Sequence, residues 1–314
     1  MDSITYLQAI VIGILQGVTE LFPISSLGHS VLLPAWLGGD WSHLVTEYGT
    51  KESGQSPYLA FIVALHVATA LALLWFYRRD WVDIIGGFFT TLRTRTIQTS
   101  TERLAWLIVI ATIPVGITGL ALEHAFRVLF AKPAAAGAFL TLNGLILLAG
   151  EMLRRRADAR ALAHVGSETP SELLDEEIHH PVYGGPNRKL ETLGYGEAAI
   201  IGTFQTFALL AGISRSGITM VGGLVRGLDH EDAAKFSFLL ATPVIFAAGL
   251  LKVPSLLGPA GADIHGQVLV GAIAAGLSAY ASVRFLTKYF TTRTLTPFAI
   301  YCLVAGIASV IKFA

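Results

Sequence analysis

Gln16-Gly-Val-Thr-Glu20-Leu-Phe-Pro23-Ile-Ser25-Ser26-Leu-Gly28-His29 sets a cluster of polar groups inside an apolar stretch of chain. Gln16 and Glu20 are four apart, so on a helix they share one face. Pro23 stops that helix. Ser25 and Ser26 then stand where a new helix would begin. Such a start exposes unpaired backbone N–H groups at the positive end of the helix dipole and binds anions well. His29 follows within one turn. The string belongs to an apolar but broken region, 4–37, and a second region of the same kind covers 194–226. The two align without gaps at an offset of 189 residues. Tyr6, Ala9, Ile12, Gly13, Gln16, Leu21, Ile24, Ser25, Gly28 and Gly38 recur as Tyr195, Ala198, Ile201, Gly202, Gln205, Leu210, Ile213, Ser214, Gly217 and Gly227. Apolar composition alone would give roughly two or three such identities.

The rest of the 314 residues says what surrounds these regions. Hydrophobic residues make up 53% of the chain and charged residues 14%, with a mean hydropathy of +0.62. A soluble domain carries about 25% charged residues, so much of this surface faces something other than water. The net charge is zero, which excludes an electrostatic nucleic-acid binder. The single cysteine, Cys302, excludes an intrachain disulfide and sits in an apolar run as a small hydrophobe. Met1-Asp2-Ser3 lacks a basic leader region, so the first apolar segment is expected to stay in the mature protein.

Six runs read as membrane helices: Tyr58–Tyr77, Leu104–Leu122, Pro133–Gly150, Phe236–Leu251, Val268–Leu286 and Pro297–Ile311. The broken regions read as re-entrant hairpins, because non-helical backbone at membrane depth needs protein or a watery cavity around it. Arg78, Arg79, Arg93, Arg95 and Arg103 are expected in the loop after the first span; Arg154, Arg155, Arg156 and Arg160 follow the third, and Lys288 and Arg293 the fifth. Alternating spans put all three groups on one side, which is therefore cytoplasmic. The 39–57 segment, with Asp40, Glu47 and Glu52 against Lys51, suits the outer face. The expected organisation is a first repeat over 1–152, a polar cytoplasmic linker over 153–194 holding His179 and His180, and a second repeat over 195–314. Each repeat is one hairpin followed by three spans. An odd number of spans reverses sidedness, so the second repeat should be inverted, an arrangement common among transporters. The fold class expected is an all-α polytopic membrane protein.

The second region carries Ala211-Gly212-Ile213-Ser214-Arg215-Ser216-Gly217-Ile218-Thr219. An arginine between serines and glycines offers what a phosphate needs: close backbone approach, a planar fork of donors, and hydroxyls. The repeat aligns it with Ser25–Gly28, so one hairpin tip bears acid and base groups and the other an anion clamp. Ionisable groups at membrane depth are costly and mark function. His66 and Thr69 face the bundle interior, with an interhelical hydrogen bond the simpler role for His66. Gln205, the partner of Gln16, reads as a packing residue, and Glu123-His124 as an interfacial pair at a span end.

These strings resemble a known family. Gln16…Glu20 followed by Pro-Ile-Ser-Ser-Leu-Gly-His is similar to the (Glu/Gln)-x-x-x-Glu and Pro-x-Ser-Ser-x-Gly-His motifs of the undecaprenyl-diphosphatases, the bacitracin-resistance family. Ala-Gly-Ile-Ser-Arg-Ser-Gly resembles that family's Pro-Gly-x-Ser-Arg-Ser-Gly, and Pro297-Phe-Ala-Ile-Tyr301 adds to the likeness. The resemblance covers the chain apart from the long 153–195 segment. It implies six spans with two re-entrant hairpins, a homodimer in the bacterial plasma membrane, and removal of the terminal phosphate from undecaprenyl diphosphate at the outer face, which recycles the carrier for cell-wall precursors. Three positions depart from the pattern: Gln16 leaves one carboxylate where many members have two, Leu27 replaces a small residue, and Ala211 replaces proline.

Cleavage of a lipid diphosphate requires in-line attack on phosphorus, with catalysis by positioning and charge stabilisation. Arg215, Ser25, Ser214, Ser216 and Gly217 are the expected phosphate ligands, with Thr219 as a further donor and Gln16 in support. Glu20 would act as base or bind a divalent cation, Mg or Ca, and His29 would be general acid or base. Ser26 is the expected nucleophile; a water activated by Glu20 or a metal is the alternative. The competing function is a transporter that flips a polyprenyl phosphate, which the repeat supports. Glu20 and His29 exceed what an anion carrier needs and favour the phosphatase.

Overall fold

The computed structural model describes residues 4–44, 57–130, 132–165, 188–256 and 264–314. Glu47, Lys51, Glu52, His179 and His180 lie outside the described residues. Among the described residues eleven α-helices run in order: α1 (Tyr6–Thr19), α2 (Ser26–Leu37), α3 (Pro57–Phe76), α4 (Arg78–Thr94), α5 (Ser100–Phe130), α6 (Pro133–Val165), α7 (Tyr195–Phe204), α8 (Arg215–Val225), α9 (His230–Leu256), α10 (His265–Tyr289) and α11 (Thr296–Phe313). Among the described residues there is no strand; a lone bridge joins Arg188 to Leu228. By length and composition, α5, α6, α9, α10 and α11 can each cross a membrane. A sixth crossing is counted if α3 and α4, bent by 86° at Tyr77, are taken together. The protein is an all-helical, multi-pass membrane protein.

Two boundaries differ from the sequence expectation. Residues 78–94 form a helix rather than a loop. Arginines mark its ends, but Ile84 and Thr91 are buried, while Val82, Ile85, Phe89 and Leu92 stay exposed on other faces. That amphipathic pattern fits a helix lying along a membrane surface. The third span also continues as helix past residue 152 to Val165, so the first part of the expected linker is helical rather than loop. Arg154 is buried within it and donates to the Leu228 carbonyl.

Packing of the two broken regions explains the shared glycines. Helix α1 packs on α10, and α7 packs on α5. A Cβ at Gly13 would stand 2.4 Å from the Gly271 carbonyl oxygen, and one at Gly202 would stand 2.3 Å from that of Ala111. The repeat pair Gly13 and Gly202 therefore does the same work twice, letting a half-length helix lie directly against a full one. Around these contacts α6 packs on α11, α3 on α9 and on α10, and α8 on α6 and α9. Three arginines anchor the base of the second broken region. Arg103 donates to the Leu193 carbonyl at 2.8 Å, Arg188 to that of Arg226 at 2.8 Å, and Arg154 to that of Leu228.

Candidate active site

Each broken region ends its first helix, turns, and starts a second helix with a serine cap. Ser25 caps α2 by accepting from Gly28 N–H, and its repeat partner Ser214 caps α8 by accepting from Gly217 N–H. The turns differ in strain. Ser25 is held at φ 71°, a region non-glycine residues rarely occupy and one that recurs at functional sites. Gly212 takes the positive φ of the other turn, 118°, where a Cβ would meet the Ala136 carbonyl oxygen at 2.5 Å.

The two turns are fastened to each other. Gly212 N–H donates to Ser25 Oγ at 3.2 Å, and Ser216 Oγ donates to the Phe22 carbonyl at 3.1 Å. Between them lies Asn143 of α6, fully buried. Its amide nitrogen donates to the Pro23 carbonyl at 3.0 Å, and its oxygen accepts from Ser214 N–H at 2.9 Å. One side chain thus satisfies a free backbone group in each turn, where no water would otherwise do so. Nothing in the pattern around Asn143 announces this role; an amide in the middle of an apolar span was the available signal.

Glu20 sits where α1 ends, and its carboxylate is the hub. Oε1 accepts from Arg215 Nη2 at 2.5 Å. Oε2 accepts from Gln16 Nε2 at 3.0 Å and from the Ser26 hydroxyl, and lies 3.3 Å from His66 Nε2. The Glu20 side chain is 6% exposed and that of Arg215 14%, so this is a buried ion pair made across the two hairpins. A cavity of about 280 Å³ opens beside it. Glu20, Ser25, Ser26, His66, Gln205, Ser214 and Arg215 form its polar wall, and the rest is apolar, including Leu27, Leu209, Val244 and Ile245.

Other expected site residues stand behind this wall. Gln16 backs Glu20. Ser216 and Gly217 secure the α8 turn, with Ser216 Oγ 2.9 Å from Ser214 Oγ. Thr219 returns its hydroxyl to the Arg215 carbonyl at 2.8 Å. His29 does not line the cavity: Nδ1 donates to the Ser25 carbonyl at 2.7 Å, and Nε2 lies 2.7 Å from the Tyr301 hydroxyl. A carbonyl only accepts, so Nδ1 carries the proton and Nε2 accepts from tyrosine. Both nitrogens of His29 are committed to holding the strained turn. His66, expected to make an interhelical bond, makes its contact with Glu20 at the end of α1. Gln205 donates to the Ala111 carbonyl at 3.1 Å, the packing role its sequence suggests.

The profile of the family described as bacitracin resistance protein BacA matches residues 9–308. The chain belongs to that family. Among BacA relatives, undecaprenyl-diphosphatase 2 of Frankia alni is 61% identical over 341 residues, covering 100% of this chain and 99% of the relative. Undecaprenyl-diphosphatase of Mycolicibacterium paratuberculosis is 58% identical, covering 99% and 98%. Undecaprenyl-diphosphatase 2 of Chromobacterium violaceum is 41% identical, covering 97% and 98%. The BacA match begins within α1, ends within α11, and includes both turns.

The resemblance also implies a divalent cation at Glu20, for which the described residues offer one carboxylate. Among the described residues no three His, Cys, Asp or Glu side chains gather to hold a metal. Among the described residues Glu20 is the one carboxylate lining the cavity, and both its oxygens are engaged, one by a guanidinium. Gln16 Oε1 is buried without a partner, but Gln16 does not reach the cavity wall. Mg usually keeps several waters and is held by one or two carboxylates together with substrate phosphates, and Glu20 would be that carboxylate here.

Proposed function

We propose that this protein is an undecaprenyl-diphosphate phosphatase, which releases inorganic phosphate from the lipid diphosphate and returns undecaprenyl phosphate. The observation that carries this is the Ser26–Glu20–Arg215 array: a hydroxyl hydrogen-bonded to a carboxylate that is ion-paired to a phosphate-binding cation. The names of close relatives agree with it. Arg215 and the start of α8 take the phosphates, the diphosphate displacing part of the Arg215–Glu20 pairing. Ser26 Oγ attacks the terminal phosphorus while its proton passes to Glu20 Oε2. The bond from that phosphorus to the bridging oxygen breaks, and undecaprenyl phosphate leaves. Water then cleaves the phosphoserine, releasing phosphate and restoring Ser26. The competing route has water attack directly, with Ser26 only binding. In both, His29 acts through the turn it holds and Gln16 through Glu20. Ser214 is a phosphate donor, while Ser216, Gly217 and Thr219 shape the α8 start.

The finer architecture follows the same reading. Residues 1–152 and 195–314 would be inverted repeats joined by a cytoplasmic linker over 153–194. The crossed packing supports this, with α1 on α10 matched by α7 on α5, and α3 on α10 matched by α9 on α5. The cavity would open to the outer face of the bacterial plasma membrane, with the prenyl tail between helices in the bilayer. The assembly proposed, on the resemblance alone, is a homodimer. A reconstituted system separates hydrolysis from transport. Proteoliposomes holding undecaprenyl diphosphate should release phosphate. Lipid crossing the bilayer with no phosphate release would favour the transporter.

A further inference from the structure

A second cavity, of about 590 Å³, forms a groove between α4, α5 and α9. Its α5 wall is one stripe of residues from Ala105 to Leu120. Helix α4 contributes Trp81, Phe88 and Phe89 and meets this stripe at its Ala105 end, where the rings of Phe88 and Trp106 are 5.2 Å apart. The stripe is about 22 Å long at a rise of about 1.5 Å per residue, most of the ~30 Å of hydrocarbon in a bilayer. Thr112 on it donates its hydroxyl to the Ile108 carbonyl at 2.8 Å, so that polar atom is spent within the helix. The groove adjoins the cavity at Glu20 and Arg215. On α5, Gly116 lines the groove and its neighbour Val115 lines the cavity; on α9 the same holds for Pro243 and Val244. The two spaces meet at the seam where α5 packs on α9. Gly116 also lacks the packing reason of other helical glycines. Gly13 and Gly202 make way for a neighbouring helix, but a Cβ at Gly116 would meet nothing within 4 Å. Glycine weakens a helix interior relative to alanine. What it leaves here is a notch in the groove wall, one residue from the cavity.

We propose that this groove is the seat of the substrate's polyprenyl chain, which leaves the diphosphate cavity through the α5–α9 seam, passes Gly116 and runs along α5 toward α4. This rests on the phosphatase reading for the identity of the lipid. Continuity names the occupant, because a chain anchored by its diphosphate at Arg215 meets the groove as soon as it passes Val115 and Val244. Shape agrees. A prenyl chain bears a methyl branch on every unit, which the notch at Gly116 admits, whereas a straight acyl chain has no branch to place there. Bilayer lipid is as apolar as the groove, so selection comes from packing rather than from the hydrophobic effect. About 22 Å of chain is held in this way, and the rest of a longer chain stays in the bilayer.

Gly116→Leu fills the notch in a wall that no helix touches, so it should melt in detergent at or above the wild-type temperature. Its KM for undecaprenyl diphosphate should rise about tenfold or more, the scale of a misplaced methylene in an apolar pocket. Its kcat should change little, since Ser26, Glu20 and Arg215 are untouched. A folded Gly116→Leu with wild-type KM overturns the proposal. So does a changed oligomeric state by light scattering, which would give this face to a second copy. A polyprenyl diphosphate with a diazirine part-way along its chain needs no variant to fold. In nanodiscs of wild-type protein it should label α4 or the Ala105–Leu120 stretch, and excess undecaprenyl phosphate should prevent the labelling. Labelling of α10 or α11 instead refutes the assignment, as does labelling that the competitor leaves untouched, the mark of ordinary bilayer lipid. Failure of the phosphatase reading looks different, since the groove would still be labelled while wild-type protein released no phosphate.

Discussion

Replacing Asn143 by alanine should damage both the stability and the activity of this protein without touching the cavity wall. Asn143 is completely buried on α6. Its side chain is the hydrogen-bond partner of the Pro23 carbonyl in one turn and of Ser214 N–H in the other. Alanine removes both bonds, leaving Ser214 N–H unsatisfied and the Pro23 carbonyl with only the Cys302 thiol at 3.9 Å, each loss worth about 1–3 kcal/mol. The sum is roughly 2–6 kcal/mol, less whatever water can enter the space left by the amide. A drop of several degrees in melting temperature in detergent should follow. Ser26 is three residues from the Pro23 carbonyl and Arg215 one from Ser214 N–H, and a misplacement of about 1 Å can cost 10²-fold in rate. Thermal unfolding by intrinsic fluorescence and phosphate release on the same preparation give both quantities. Asn143→Asp separates the bonds, since it keeps the acceptor for Ser214 N–H but not the donor to Pro23. It should fall no less than alanine does, because it adds a carboxylate facing a carbonyl. An Asn143→Ala protein with wild-type melting and turnover would refute the idea that one side chain locks the two turns together.

Three further outcomes follow from the site. Arg215→Lys should lose about 10²-fold or more in turnover although charge is kept, since an ammonium cannot bridge phosphate oxygens as a fork does; near-wild-type phosphate release would count against that role. Ser26→Ala and Glu20→Gln should each abolish turnover while the protein stays folded in detergent, and substantial residual hydrolysis by Ser26→Ala would transfer the attack to water. EDTA separates the two roles open to Glu20: a rate lost to chelation and restored by Mg or Ca assigns it a cation, and an unchanged rate leaves it the base for Ser26.

The sequence carried the two turns clearly because their chemistry is local. A serine cap, a glycine and a helix stop are written within a few residues, and the 189-residue repeat showed that both copies use them. Glu20 and Arg215 followed, since charged groups in apolar runs have few explanations, and they meet at 2.5 Å. What one turn of sequence could not show is which way a side chain points. His29 lies beside the serines in sequence but reaches across to Tyr301, 272 residues away. His66 and Asn143 enter the site from α3 and α6, and their partners are set by packing between helices. Helix α4 was readable from Trp81, Ile84, Phe88 and Phe89 at helical spacing. The arginines at its ends instead favoured a loop, although charges flanking an apolar stripe are what a surface-lying helix requires.

Single-turnover hydrolysis of radiolabelled undecaprenyl diphosphate by the purified protein tests the central claim most directly. Wild-type protein should convert the lipid to undecaprenyl monophosphate and inorganic phosphate in equal amounts. Arg215→Ala, on one hairpin, and Ser26→Ala, on the other, should each give neither product while remaining folded. Equal products from wild type but unimpaired hydrolysis by either variant would contradict a single active site built from the two turns, and no products from folded wild-type protein would contradict the phosphatase itself.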